Sequence, residues 1–187
     1  MVYVILAEGF EETEAVDPVD MLRRAGVEVK LVGLAGGLVR STRGVGIAAD
    51  IALCETEVKD AEMIFLPGGT PGTDNIMKNE KAVDFIKDCY TAGAFIASIC
   101  AAPSIPGRLG MLSGKHAVCY PGYEKYLQGA KLCADESVVR DGKIITGRGA
   151  GVSLEFGLKL VEALKGFEAA EKIMDSIRYI SHEHRLT

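Results

Sequence analysis

The sequence predicts an α/β protein with a mostly parallel sheet covered by helices on both faces. Three observations predict it: short apolar runs rich in β-branched residues recur along the chain, segments of helical periodicity separate them, and glycine-rich turns follow several of the runs. With 187 residues, 48% of them hydrophobic, the chain can bury one substantial core, so a single domain over residues 1–187 is expected.

The elements follow in order. Val2 to Ala7 reads as the first strand, and Ala15, Val19, Leu22 and Ala25 then recur at helical spacing with Gly26 as the stop and Pro18 as an expected kink. Val27 to Val32 is the next strand. Val39 to Leu53 reads as an antiparallel strand pair around a glycine-containing turn at the sheet edge. Met63 to Leu66, Ala94 to Ile99, His116 to Tyr120 and Lys143 to Thr146 complete the strands. From Gly151 onward, Leu154, Leu158, Val161, Ala163 and Leu164 mark a helix ending near Gly166, and Phe167 to Ile180 marks another.

Composition excludes several classes. A formal net charge of -5 offers no broad basic surface for a phosphate backbone, so nucleic acid is not an expected partner. No apolar run approaches the roughly 20 residues that span a bilayer, and Met1 to Leu6 lacks a basic flank and runs into Glu8, Glu11, Glu12 and Glu14. No membrane association is expected, and the cytoplasm is the expected compartment. Five cysteines (Cys54, Cys89, Cys100, Cys119 and Cys133) form an odd set without C-x-x-C spacing, which points to free thiols, mostly buried, and to no metal site.

Open parallel sheets bind ligands beyond the carboxyl ends of their strands. Three segments should converge there: A-E-G-F-E-E-T-E (Ala7 to Glu14), L-P-G-G-T-P-G (Leu66 to Gly72) and S-I-C-A-A-P (Ser98 to Pro103). At a strand-to-helix corner, Cys100 is either a small buried hydrophobe or a thiol made reactive by the leading amides of the next helix. Gly68 and Gly69 either form an ordinary turn or supply amides to an oxyanion hole. One acid of E-G-F-E-E-T-E, turned inward against Cys100, would have a raised pKa and a proton to donate; spacing alone does not select which. Arg148, in T-G-R-G-A-G, is a fixed positive charge at the rim or a structural ion pair, and the spacing is not that of a dinucleotide loop. His116, His182 and His184 offer no evident partner for a Cys–His pair.

Together these segments, with P-V-D-M-L-R-R-A-G and C-Y-P-G-Y-E, resemble the ThiJ/PfpI superfamily and most closely its DJ-one branch, from Val2 to about Gly166. The resemblance implies a flavodoxin-like, class I glutamine amidotransferase-like sandwich, a homodimer, and an oxidation-sensitive cysteine on a nucleophile elbow. It maps that cysteine onto Cys100, its protonated acid onto Glu14, the amides facing the sulfur onto Gly69 and Ala101, and pocket or dimer-contact arginines onto Arg24, Arg43 and Arg148.

The implied activity is glyoxalase III- or deglycase-type handling of a small aldehyde such as methylglyoxal, without metal or organic cofactor. The alternative is a non-enzymatic redox sensor or chaperone-like stress protein whose Cys100 meets an oxidant and becomes sulfinic acid. Proteolytic relatives carry histidine directly after the cysteine, and Ala101 stands there, which argues against peptide hydrolysis. Tyr120, before Pro121, replaces a histidine of the best-studied DJ-one-type proteins.

Overall fold

A computed structural model describes residues 1–180. The expected positions of His182 and His184 lie outside the described residues.

Strand β1 (Val2–Leu6) has every side chain buried, because it lies mid-sheet with both faces covered. Its alternate residues divide between two cores. Val2, Val4 and Leu6 pack on one face, while Tyr3 and Ile5 pack on the other. The next elements are α1 (Glu12–Arg24), β2 (Val29–Gly33), β3 (Leu38–Arg40), β4 (Gly46–Ala48) and β5 (Ile51–Ala52). Then come β6 (Met63–Leu66), α2 (Gly72–Lys78), α3 (Glu80–Thr91), β7 (Phe95–Ile99) and α4 (Ser104–Arg108). The C-terminal part holds β8 (His116–Ala117), β9 (Lys131–Leu132), β10 (Val138–Asp141), β11 (Ile144–Gly147), α5 (Ser153–Lys165) and α6 (Phe167–Ser176).

The main sheet has the order β10-β11-β7-β6-β1-β2-β5, with only β10 antiparallel. Helices α1, α5 and α6 cover one face through Ala15, Val19, Leu22, Phe156, Val161 and Ile173. On the other face Ile76 of α2, Ile86 of α3 and Ile105 of α4 fill the core. Each such fully buried side chain contributes about 1.5–3 kcal/mol of transfer free energy, so this two-layer burial is the main stabilising force.

Helix α1 runs unbroken through Pro18, which is buried against Gly157 of α5. The structure departs from the sequence reading at three places. The run His116 to Tyr120 does not join the main sheet. Its strand stops at Ala117 and pairs with β9 in a separate two-stranded sheet, because the Val118 amide turns to the Thr146 side chain and the Tyr120 amide to the Cys100 carbonyl. The Val39 to Leu53 region is an antiparallel pair, β3 with β4, but Ile51 and Ala52 return to the main sheet parallel to β2. Strand β10 was not expected. Among the described residues, no helix is long and apolar enough to cross a membrane.

Candidate functional site

The carboxyl ends of β1, β6 and β7 bring the three expected segments together. Cys100 follows β7 with a φ of +63°, a left-handed backbone that a non-glycine residue adopts only under local constraint. Two hydrogen bonds hold the corner: the Cys100 amide donates to the Gly147 carbonyl at 2.9 Å, and the Cys100 carbonyl accepts from the Tyr120 amide at 2.8 Å. This geometry aims the side chain off the sheet edge, as a nucleophile elbow requires.

Helix α1 selects the acid. Glu11 is its N-cap and accepts the Glu14 amide at 2.7 Å, which puts Glu14 at the third helical position. Glu14 then joins Pro18, Met21 and Leu22 on the buried stripe and is only 1% exposed. Its Oε2 accepts the Gly68 amide at 3.0 Å. Burial raises the Glu14 carboxyl to about 7; its hydrogen bond with Cys100 and the Gly68 and Ala150 amides oppose that rise, while the charge of Glu11 adds to it.

Cys100 is raised as well. Burial pushes the thiol up, the charge and hydrogen bond of Glu14 add to the rise, and the amides of Ala101 and Gly69 pull it back. These two acids form a coupled pair. When Glu14 is ionised the thiol keeps its proton. When Glu14 is neutral its charge no longer opposes the thiolate, and its O–H becomes a donor to sulfur. The expected help from a helix end is small here, because α4 is only five residues long and begins at Ser104. Individual amides replace it.

The expected site residues separate into those that meet and those that do not. Glu14, Gly69, Cys100 and Ala101 converge. Gly68 is at the centre, but its amide is occupied by Glu14 and is therefore no oxyanion donor, contrary to expectation. Arg43 lines an open recess of about 340 Å³ with Cys100, Glu11, Thr42, Gly69, Thr70 and Pro71. Tyr120 is half exposed, and a β-carbon on Gly149 would lie 3.4 Å from its ring and 4.0 Å from the Cys100 sulfur. Arg24 is not at the pocket: it stands at the opposite end of α1, paired with Asp20 at 2.8 Å. Arg148 also misses this recess, since its guanidinium donates to the Ala134 carbonyl and lines a neighbouring hollow with Cys119 and Cys133.

Sequence reasoning missed Thr42 and Thr70 as lining residues. The signal for Thr42 lies in backbone pairing, because its amide donates to the Phe10 carbonyl and brings the β3–β4 turn over the site. All five cysteines are free, yet only Cys89 and Cys119 are buried; Cys54 is exposed because it sits in a short surface turn after β5. Among the described residues no cluster of three or more His, Cys, Asp or Glu side chains is placed to hold a metal ion.

Known proteins share this framework. Protein dj-1beta of Drosophila melanogaster is 37% identical over 172 residues, which are 91% of this chain and 92% of the fly protein. The crystal structure of Drosophila melanogaster DJ-1beta aligns with a TM-score of 0.90 at 35% identity, covering 96% of this chain and 98% of that one. The glutathione-independent glyoxalase DJR-1.2 of Caenorhabditis elegans is 30% identical over 167 residues, 89% of each chain. Oxidized Toxoplasma gondii DJ-1 aligns with a TM-score of 0.89 at 34% identity, over 96% of this chain and 98% of that one. The DJ-1/PfpI family pattern itself matches residues 1–163, and the chain belongs to the DJ-1/PfpI family.

Proposed function

We propose that the protein converts small 2-oxoaldehydes such as methylglyoxal into 2-hydroxy acids, with Cys100 as nucleophile and Glu14 as proton carrier. The observation that carries this reading is the pairing of an elbow cysteine with a buried carboxyl that titrates near neutrality. The nematode relative named as a glutathione-independent glyoxalase supports the same reaction class.

The steps balance without a cofactor. The sulfur bonds to the aldehyde carbon, and the carbonyl oxygen takes a proton to give a hemithioacetal. Glu14, as carboxylate, removes the proton from that carbon and returns it to the neighbouring ketone carbon, while the hemithioacetal hydroxyl proton passes to the ketone oxygen. The first carbon is thereby oxidised to a thioester while the second is reduced to an alcohol. Water cleaves the thioester, releasing the 2-hydroxy acid and restoring the thiol. The Gly69 and Ala101 amides, which already face the sulfur, are the donors available to oxygen charge beside it. Deglycase-type handling of an aldehyde adduct would use the same nucleophile.

Lactate formation from methylglyoxal tests the proposal, with wild type compared to Cys100→Ser and Glu14→Gln. Loss of more than about 100-fold in either variant is expected. Equal rates in wild type and Cys100→Ser would rule the reaction out.

A second reading is favoured by the same two amides, since oxygens added to Cys100 would meet donors already in place. In that reading the thiol is oxidised to sulfinate and the protein reports or resists oxidative stress. Intact-mass measurement after mild peroxide treatment decides it: selective gain of two oxygens at Cys100 supports it, and unmodified Cys100 rejects it. Arg24, distant from the recess, fits the dimer-contact side of its expected role, and sedimentation of the purified protein tests the homodimer.

A further inference from the structure

Three backbone amides close a ring that holds Glu14. Glu11 N–H donates to the Gly68 carbonyl at 2.9 Å, Gly68 N–H donates to Glu14 Oε2 at 3.0 Å, and Glu14 N–H donates to Glu11 Oε2 at 2.7 Å. We propose that Glu11 is a positioning residue for the Glu14–Cys100 pair, holding Glu14 against Gly68 through this ring and keeping the shared proton on the pair through its charge. The inference rests on the reading of Cys100 and Glu14 as the reacting groups.

Helix capping alone does not account for glutamate at this position. Shorter side chains (Ser, Thr, Asp and Asn) are the favoured N-caps, and any of them accepts the same amide. A carboxylate placed three residues before a buried carboxyl adds like-charge repulsion, which a purely structural cap would avoid. Glu11 also lines the recess that opens on Cys100, so its charge acts on the space in which the chemistry occurs. Its Oε2 is held by the Thr13 hydroxyl as well, at 2.5 Å, which fixes the carboxylate in place.

Few other groups compete for control. The charged or titratable groups acting on Glu14 are Cys100, from the end of β7, and Glu11, from its own cap; the Ala150 amide comes from the connection between β11 and α5. From the β3–β4 turn, Arg43 stands across the recess, with no ion-pair or hydrogen-bond partner for its guanidinium among the described residues. Burial keeps Glu14 protonated toward neutrality, and Glu11 reinforces it. Removing the Glu11 charge therefore lets the pair release its first proton at lower pH, whether that proton leaves from oxygen or from sulfur.

The test is the pH dependence of Cys100 alkylation by iodoacetamide, read by peptide mass in wild type, Glu11→Asn, Glu11→Asp and Glu11→Ala. Asn keeps a cap without charge, Asp keeps both, and Ala keeps neither. The midpoint should move to lower pH by about 0.5 unit or more in the Asn and Ala variants, as expected for loss of one nearby charge, and stay at the wild-type value in Asp. The melting temperature should fall mainly in Ala. An Asn profile that overlies wild type, or an Asp profile that shifts as far as Asn, would overturn the proposal and leave Glu11 as a cap. Methylglyoxal turnover is a separate readout. Wild type without lactate formation would end the glyoxalase reading while leaving the alkylation midpoints to decide the role of Glu11.

Discussion

The amide of Gly68 donates to Glu14 Oε2 at 3.0 Å, joining two residues 54 positions apart at the centre of the site. A β-carbon on Gly68 would lie 2.4 Å from that oxygen, 2.7 Å from the Cys100 β-carbon and 2.9 Å from the Ile99 carbonyl. The last neighbour is backbone at the end of a central strand and has nowhere to move. Glycine is therefore required by close approach, the condition under which the acid can reach the thiol.

Gly68→Ala should consequently cost about 1–3 kcal/mol from overpacking and slow Cys100 alkylation in the same variant. Thermal unfolding and iodoacetamide kinetics check both. An unchanged melting temperature would show that the site is looser than these distances require.

Stability should depend on pH through Glu14. Its carboxyl has an ordinary value of 4.5 and a folded value of about 7, so between these the folded chain holds a proton that the unfolded chain has released. The associated stability is fully present below about 4.5 and is lost as pH rises toward about 7, by at most about 3 kcal/mol, with coupling to Cys100 reducing that figure. Urea unfolding at pH 5 and pH 8 should show the fall in wild type. In Glu14→Gln the difference between the two pH values should shrink. An equal pH dependence in both proteins would mean that Glu14 ionises in the folded state as readily as in the unfolded one.

Gly157 controls how closely α5 approaches α1. A β-carbon there would lie 2.8 Å from the Pro18 α-carbon and 2.9 Å from Met21 Cγ. Gly157→Ala gains about 1 kcal/mol of helix propensity, but the collision with Pro18 backbone should outweigh it and leave the variant about 1–2 kcal/mol less stable. Because α1 carries Glu14, alkylation of Cys100 should slow as well. A stabilised variant would refute the close contact.

Much of this architecture was legible in the sequence, for identifiable reasons. Met63 to Leu66 is a strand over the limits its apolar run suggests, since a central parallel strand is buried on both faces and needs no alternation. Strand β10 was not legible because Val138, Val139, Arg140 and Asp141 form an edge strand with mixed exposure and no continuous apolar run. Glu14 was one of four acids until the cap position was known. With Glu11 as N-cap, the i, i+4, i+7 stripe of Glu14, Pro18 and Met21 singles it out. The side-chain reach of Arg24 and Arg148 was not legible at all, because local partners decide it: Asp20 takes one guanidinium and the Ala134 carbonyl takes the other.

Tyr120 separates a backbone role from a side-chain role. Its amide secures the elbow by donating to the Cys100 carbonyl at 2.8 Å, a contact any non-proline residue can make. Its ring lies 51% exposed, and Cδ2 and Cε2 are the ring atoms that face Gly149, whose absent β-carbon would fall 3.4 Å from the ring and 4.0 Å from the Cys100 sulfur. The ring thus lies beside the Gly149 backbone, and the Tyr120 phenol is not among the groups acting on the Glu14 carboxyl or the Cys100 thiol. Tyr120→Phe should leave Cys100 alkylation and methylglyoxal turnover within about 2-fold of wild type, whereas Tyr120→Pro, which deletes the amide donor, should cost about 1 kcal/mol or more and slow both. A large loss of turnover in Tyr120→Phe with alkylation intact would place the hydroxyl in the proton path and overturn this assignment.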